Sequence, residues 1–364
     1  MKKTRALSAV LVSLIMVTTS SAQVADKPLI IAYYSGDELE ASKYPVEKLT
    51  HIIFSFCHMK GDRLNVDNAQ DSATIRTLVA LRKRNPELKV LLSLGGWGGC
   101  ASCSEVFESP RARRTFAESV RELNEYFNTD GIDLDWEYPA IEGYPGHRFK
   151  AGDKENFTKL VKVLREVLGT RYEISFAAGG FTKFLEQSVE WKQVMPLVDR
   201  VNLMTYDLVN GFDTVTGHHT PLYSNPRQKE STDNAVKFLT SMGIPSNKLV
   251  IGAAFYARVW ENASNVNNGL YQVAKFKSSV PFKRLDSAGS LTSSLNVFYD
   301  STSKSPYRYH SEKKLFATYD DKTSLKEKAR YVRENKLNGI MFWELTHDMY
   351  SDGLLDTIYS ELRQ

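Results

Sequence analysis

Asp130-Gly131-Ile132-Asp133-Leu134-Asp135-Trp136-Glu137-Tyr138-Pro139 sets three carboxylates on alternate residues inside an apolar, β-favouring stretch. On a strand, side chains two apart point the same way. Asp133, Asp135 and Glu137 therefore share one face, and Ile132, Leu134 and Trp136 cover the other. A solvated acidic edge fits poorly, because the opposite face is bulky enough to need helices packed on it and Pro139 ends the strand just after the glutamate. Carboxylates crowded on an inward face repel one another, so the buried ones share protons or have raised pKa values. Chains keep such strain mainly where chemistry uses it. Asp130 has the opposite parity and is read as structural, satisfying backbone donors near the start of the strand.

Working outward, short apolar runs at 29–34, 51–56, 89–94, 131–137, 172–178, 200–206, 249–255 and 339–345 alternate with amphipathic stretches such as 72–84, 110–127, 156–168, 233–242 and 324–334. Strand and helix alternating about eight times predicts an α/β fold, a (β/α)8 TIM barrel. The alternation breaks between about Trp260 and Thr318, too long for an ordinary loop. We expect a small α+β insertion over 261–318, between the seventh and eighth strands, with the barrel itself over 23–260 and 319–364. Following the seventh strand, the insertion would stand on the C-terminal rim and wall one side of a groove.

The first residues are basic (Lys2, Lys3, Arg5), an apolar run reaches about Val17, and Ser20-Ser21-Ala22 supplies small residues. This reads as a signal peptide over 1–22 cleaved after Ala22, hence a secreted or periplasmic protein. Loss of those three cations lowers the formal charge from +4 to +1. A near-neutral mature chain offers no reason to invoke nucleic acid or an anionic membrane, and a monomer is expected. Cys100-Ala101-Ser102-Cys103 has redox or metal-ligand spacing but no second pair, and export favours a local disulfide between Cys100 and Cys103. Cys57, ending an apolar run, is read as a buried thiol. His218 and His219 are adjacent, poorly spaced for one metal, and are read as polar loop residues. No metal or cofactor constellation stands out.

The string Asp-Gly-Ile-Asp-Leu-Asp-Trp-Glu over 130–137 resembles the active-site strand of family-18 glycoside hydrolases, the chitinases and their relatives. Two further motifs fit the same family, Ser93-x-Gly95-Gly96 ending the third strand and Met204-x-Tyr206-Asp207 ending the sixth. The resemblance covers essentially the whole mature chain and implies catalysis by Glu137, Asp135, Asp133 and Tyr206. Glu137 would be the general acid, Asp135 would orient the substrate's N-acetyl group, and Asp133 would share a proton with Asp135. Tyr206 would hydrogen-bond the acetamido group. The implied groove residues are Tyr33 and Phe56 near the reacting sugar, Met204 at the floor, and Asp207 near Glu137. Tyr256 and Arg258 are placed on the seventh strand, and Phe212 on the product side. Trp97 would stack on the leaving-group sugar, and Trp343 would floor the subsite of cleavage.

The family's mechanism dispenses with an enzyme nucleophile. The substrate's own acetamido oxygen attacks the anomeric carbon, so a sugar without a 2-acetamido group cannot react. The resemblance thus implies hydrolysis of β-1,4 bonds between N-acetylglucosamine units, with chitin or chito-oligosaccharides as partner. Two alternatives stand beside it: an endo-β-N-acetylglucosaminidase acting on N-glycan cores, and a non-hydrolysing chitin-binding lectin, which characteristically lacks the glutamate present here as Glu137. The chain also departs from long-groove relatives. Where they carry a tryptophan a few residues after the first-strand tyrosine, it has Ser35-Gly36-Asp37.

Overall fold

The computed structural model of the chain describes residues 27–364; the expected signal peptide lies outside them. The barrel opens with β1 (Leu29–Tyr34) and β2 (His51–Lys60), the latter extended by a short antiparallel partner, β3 (Arg63–Asn65). It continues through β4 (Lys89–Gly95), β5 (Gly131–Asp135), β6 (Glu173–Gly179), β7 (Arg200–Met204) and β8 (Leu249–Ala254). The chain then leaves for a separate antiparallel sheet: β9 (Tyr256–Glu261), β10 (Lys275–Pro281), β11 (Asn296–Asp300), β12 (Ser305–His310) and β13 (Leu315–Thr318). It returns for the eighth barrel strand, β14 (Gly339–Trp343). All neighbours in the barrel run parallel, and β1 pairs with both β2 and β14, so the ring closes. This is the (β/α)8 barrel that the alternation predicts.

The strands are rich in Ile, Val and Leu because both of their faces are covered. Outward residues such as Ile132, Leu134 and Trp136 join helix residues such as Phe116 and Phe157 in the large core between sheet and helices. Inward residues, among them Ile31, Ile53, Leu91, Val250 and Met341, fill the barrel itself. Gly131 is required at the start of β5: a Cβ there would strike the backbone of Glu173 on the neighbouring strand.

The helices form where amphipathic spacing meets good caps. Helix Pro110–Phe127 has proline at its first turn, and Ser109 caps it by accepting from the backbone N–H of Ala112 (3.3 Å). It buries Phe116, Ala117, Val120 and Phe127 on one side. Helix Lys322–Glu334 starts with a reciprocal cap between Asp321 and Ser324 and buries Lys328. Lys328 Nζ reaches Asp320 Oδ2 (2.7 Å), which also accepts from Thr220 Oγ1 and Ala254 N (3.0 Å each). This wholly buried ion pair joins helix Lys322–Glu334 to β8 and to the loop after β7.

The second sheet begins at Tyr256, earlier than the expected 261. The reason is that β8 passes through Phe255, stacked on Phe342 at 4.1 Å, directly into β9. Its helical content among 261–318 is two single 3-10 turns, Asn267–Gly269 and Phe282–Arg284. Apolar residues lie on both faces of the sheet: Ala257, Val259 and Leu315 on one, Trp260, Tyr309 and Phe316 on the other. Among the described residues, no helix is long and apolar enough to cross a membrane.

Candidate active site

The inward face of β5 carries the acids, and the strand ends at Asp135, so Glu137 stands just past it rather than on it. Asp133 is completely buried and receives four neutral donors. Tyr33 Oη (3.0 Å) and Ser93 Oγ (3.1 Å) donate to Oδ2, while Ser175 Oγ (2.6 Å) and Asn202 Nδ2 (3.1 Å) donate to Oδ1. Burial pushes its pKa up, and these donors hold the rise in check. Among the described residues its hydrogen bonds come from these four groups, and none joins it to Asp135. Ser93, at the end of β4, is thus tied to the acids by a direct bond.

Asp135 is less well served. Its Oδ1 is buried with no partner among the described residues. Burial, then the charges of Glu137 and Asp133, raise its pKa well above the carboxylate range. Glu137, 9% exposed, is pushed up to about 7, chiefly by burial and further by the charge of Asp207, with the neighbouring Tyr138 hydroxyl opposing. A carboxyl that keeps its proton near neutrality and stands at the rim can donate it.

Asp207, past the end of β7 with φ of 55°, is held in place by a two-pronged contact with Arg258 (2.7 and 2.6 Å). Burial alone would raise its pKa, but His219 and Arg258 hold it well below the usual range. It therefore remains a fixed negative charge beside a protonatable glutamate. Arg258 and Tyr256 sit on β9, the first strand of the second sheet, and not on the seventh barrel strand as expected. The second sheet therefore contributes directly to the site. Tyr206 packs against Tyr256 (6.3 Å, edge-on), and the one bond its hydroxyl donates goes to the thioether of Met341 at 3.8 Å. A thioether is a weak acceptor, so that hydroxyl is available to a better one. Met204 lies with these residues in the barrel's inner cluster.

Aromatic rings flank the acids on two sides. Trp343 stacks on Phe56 (5.6 Å, 14°) and meets Tyr33 at 6.0 Å. Across the barrel mouth, Trp97 (48% exposed) meets Phe212 at 6.2 Å and Tyr144 at 5.5 Å. Cys100 and Cys103 are disulfide-bonded in the loop that carries Trp97, while Cys57 is a buried free thiol. Three non-proline cis peptide bonds, Ser55–Phe56, Glu137–Tyr138 and Trp343–Glu344, fall among these residues.

Sequence reasoning missed three groups. Ser175 and Asn202 have the inward parity of β6 and β7, so a polar residue at an inward position of an otherwise apolar strand was the available signal. His219 was read as a polar loop residue, yet both histidines are fully buried. His219 Nδ1 lies 3.5 Å from Asp207 Oδ1, and His218 Nε2 lies 3.1 Å from Asp300 Oδ2 on β11. Nothing local distinguishes a buried loop histidine from an exposed one. Asp130 behaves as expected, accepting from Val90 N (2.6 Å) and pairing with Arg82. Among the described residues, no group of three or more His, Cys, Asp or Glu side chains is placed to hold a metal ion.

The family described as Glycosyl hydrolases family 18 matches residues 29–348. The chain is 32% identical over 301 residues to chitinase A1 of Niallia circulans, covering 76% of this chain and 43% of that protein. To chitinase B of Serratia marcescens it is 28% identical over 387 residues, covering 85% of this chain and 75% of that one. Among solved structures, a family-18 N-acetylglucosaminidase from Paenibacillus barengoltzii superposes with a TM-score of 0.83 at 34% identity, over 92% of this chain and 99% of that one. The chain thus spans less than half the length of the Niallia protein and nearly all of the Paenibacillus one.

Proposed function

The chain belongs to glycosyl hydrolase family 18, and from that premise we propose that it is a secreted chitinase. It would hydrolyse β-1,4 linkages between N-acetylglucosamine units with net retention, the substrate's acetamido group acting as nucleophile. The observation that carries this reading is the buried row Asp133, Asp135, Glu137, in which burial raises all three carboxyls and the outermost, Glu137, stands at the barrel mouth with its pKa at about 7.

In the first step Glu137 gives its proton to the glycosidic oxygen as the bond to the anomeric carbon breaks. The acetamido oxygen closes on that carbon from the opposite face, giving a cyclic oxazolinium. The unpartnered Oδ1 of Asp135 is suited to accept from the acetamido N–H, which sharpens the carbonyl oxygen as nucleophile and offsets the positive charge that develops. The Tyr206 hydroxyl can bond the same group and hold it in line. In the second step Glu137, now ionised, takes a proton from water as the water opens the oxazolinium at the anomeric carbon. Trp343 offers a face for the reacting sugar's C–H bonds, and Trp97 with Phe212 does so for the leaving sugar.

Export, as expected from residues 1–22, would bring the enzyme to a polymeric substrate outside the cell. A lectin reading has little support, since nothing in non-hydrolytic binding calls for a buried acid held protonated near pH 7. A thiazoline analogue of the oxazolinium should inhibit, and fully de-acetylated chitosan should not be cleaved. Equal rates on chitosan and chitin oligomers would refute substrate assistance. Release of intact glycans from an N-glycoprotein, without cleavage of chitin oligomers, would transfer the function to the N-glycan alternative.

A further inference from the structure

We propose that the groove is closed just beyond the reacting sugar, so that the enzyme removes single N-acetylglucosamine units from the non-reducing end of chito-oligosaccharides. This rests on the chitin-directed reading above.

The ring order of the barrel is β1, β2, β4, β5, β6, β7, β8, β14. Trp97, after β4, and Phe212, after β7, touch across the mouth over β5 and β6. Trp343 and Tyr33 end β14 and β1, diametrically opposite. A chain lying along this line has its leaving part over β5 and β6 and its reacting sugar over Trp343. The leaving part carries the reducing end. Any further sugar on the other side, attached through the reacting sugar's 4-oxygen, has to pass over the rim between β8 and β1.

Three contacts bar that path. First, the loops after β1 and β14 are in close contact: Ser35 N donates to Glu344 Oε2 (2.9 Å), and a Cβ on Gly36 would lie 2.7 Å from the Thr346 methyl carbon. Second, the loop after β14 meets the second sheet, with the His347 ring 6.1 Å from that of Tyr256. Third, one carboxylate oxygen, Glu40 Oε1, accepts from Tyr44 Oη (3.0 Å), Tyr350 Oη (3.0 Å) and Lys283 Nζ (3.2 Å). It thereby joins the segment after β1, the loop after β14 and the turn that follows β10. Glu344 is only 4% exposed, so the junction is a packed wall and not a bridge over open space. Ser35-Gly36-Asp37, which stands where long-groove relatives have a tryptophan, belongs to this wall.

The test is the first product released from chitohexaose labelled at its reducing end. The wall predicts free N-acetylglucosamine together with labelled pentamer. Labelled tetramer or shorter as the first product would overturn the inference while leaving the chitinase reading intact; no hydrolysis of any chito-oligosaccharide would overturn both. A tetramer whose non-reducing 4-hydroxyl carries a β-1,4-galactose should resist cleavage, and a rate equal to the uncapped tetramer would overturn the wall. Opening it with Glu40→Gln and Lys283→Ala together, folding checked by circular dichroism, should bring disaccharide into the first products. A folded double variant that still releases only monomer would overturn the assignment of the wall to this junction. The wild-type products decide the inference even where the variant does not fold.

Discussion

Glu137→Gln should abolish most turnover and at the same time stabilise the protein at alkaline pH. In the folded state the Glu137 pKa rises from 4.5 to about 7. At about 1.4 kcal/mol per unit, this makes the ionised side chain less stable in the fold by roughly 3 kcal/mol. A carboxyl whose folded pKa lies above its unfolded value binds its proton more tightly when folded. Its stabilising contribution is complete below pH 4.5 and is lost as the pH rises through about 7. Glutamine has the same shape and no such loss. Asp135 adds to the effect in the same direction, because the variant removes the Glu137 charge that raises its pKa. Urea unfolding at pH 4 and pH 8 should therefore show the variant gaining about 3 kcal/mol on the wild type between the two. Turnover on chitin oligomers should fall by about 10²–10⁴-fold, with oligomer binding retained. A stability difference that does not change between pH 4 and 8 would mean that burial does not raise this pKa, and the general-acid assignment would go with it.

Asp207→Asn removes the fixed charge that helps raise the Glu137 pKa, so the alkaline limb of kcat/KM should move to lower pH from its wild-type position near 7. Burial, the larger cause, keeps that limb above the ordinary glutamate range, and an unmoved limb would show that the two carboxylates do not communicate. Tyr206→Phe should lower kcat by about 10²-fold or more if its hydroxyl holds the acetamido group, as losing one preorganised donor usually does; wild-type kcat in single-turnover assays would exclude that role. Trp97→Ala should raise KM, losing about 0.5–1.5 kcal/mol of stacking in addition to buried area, whereas Trp343→Ala should also lower kcat. Identical kinetic changes in the two variants would count against placing only one ring under the scissile bond. Asp320→Ala removes the carboxylate that favours the Lys328 charge against burial, and breaking this buried pair should cost about 3–5 kcal/mol in urea unfolding. A loss under 1 kcal/mol would show that the site is hydrated.

Much of the barrel and the acid row could be read directly from the chain, because both rest on local periodicity. Alternation along 131–137 sends Ile132 and Leu134 to the helices and Asp133 and Asp135 to the interior whatever the rest of the molecule does, and parallel strands covered on both faces read as apolar runs. The ends of elements were less legible. The apolar run continues through Glu137, but β5 stops at Asp135; likewise Tyr256 and Arg258 read as a continuation of β8, yet they open a new sheet.

The sequence by itself determined the fold class, the order of the acids and the glutamate that ends their row, since each follows from spacing between near neighbours. Tertiary structure alone decided what surrounds those acids. Asp133 takes its four donors from β1, β4, β6 and β7, and Arg258 reaches back to Asp207 from another sheet. His219 is buried against the same aspartate, and Glu40 gathers three segments into one wall. Apart from the Glu40–Tyr44 bond within one turn and the His219–Asp207 contact within one loop, such contacts join residues 40 to 310 positions apart, and no local pattern encodes them. They arise because closing the barrel brings the strand ends and their loops together at one mouth.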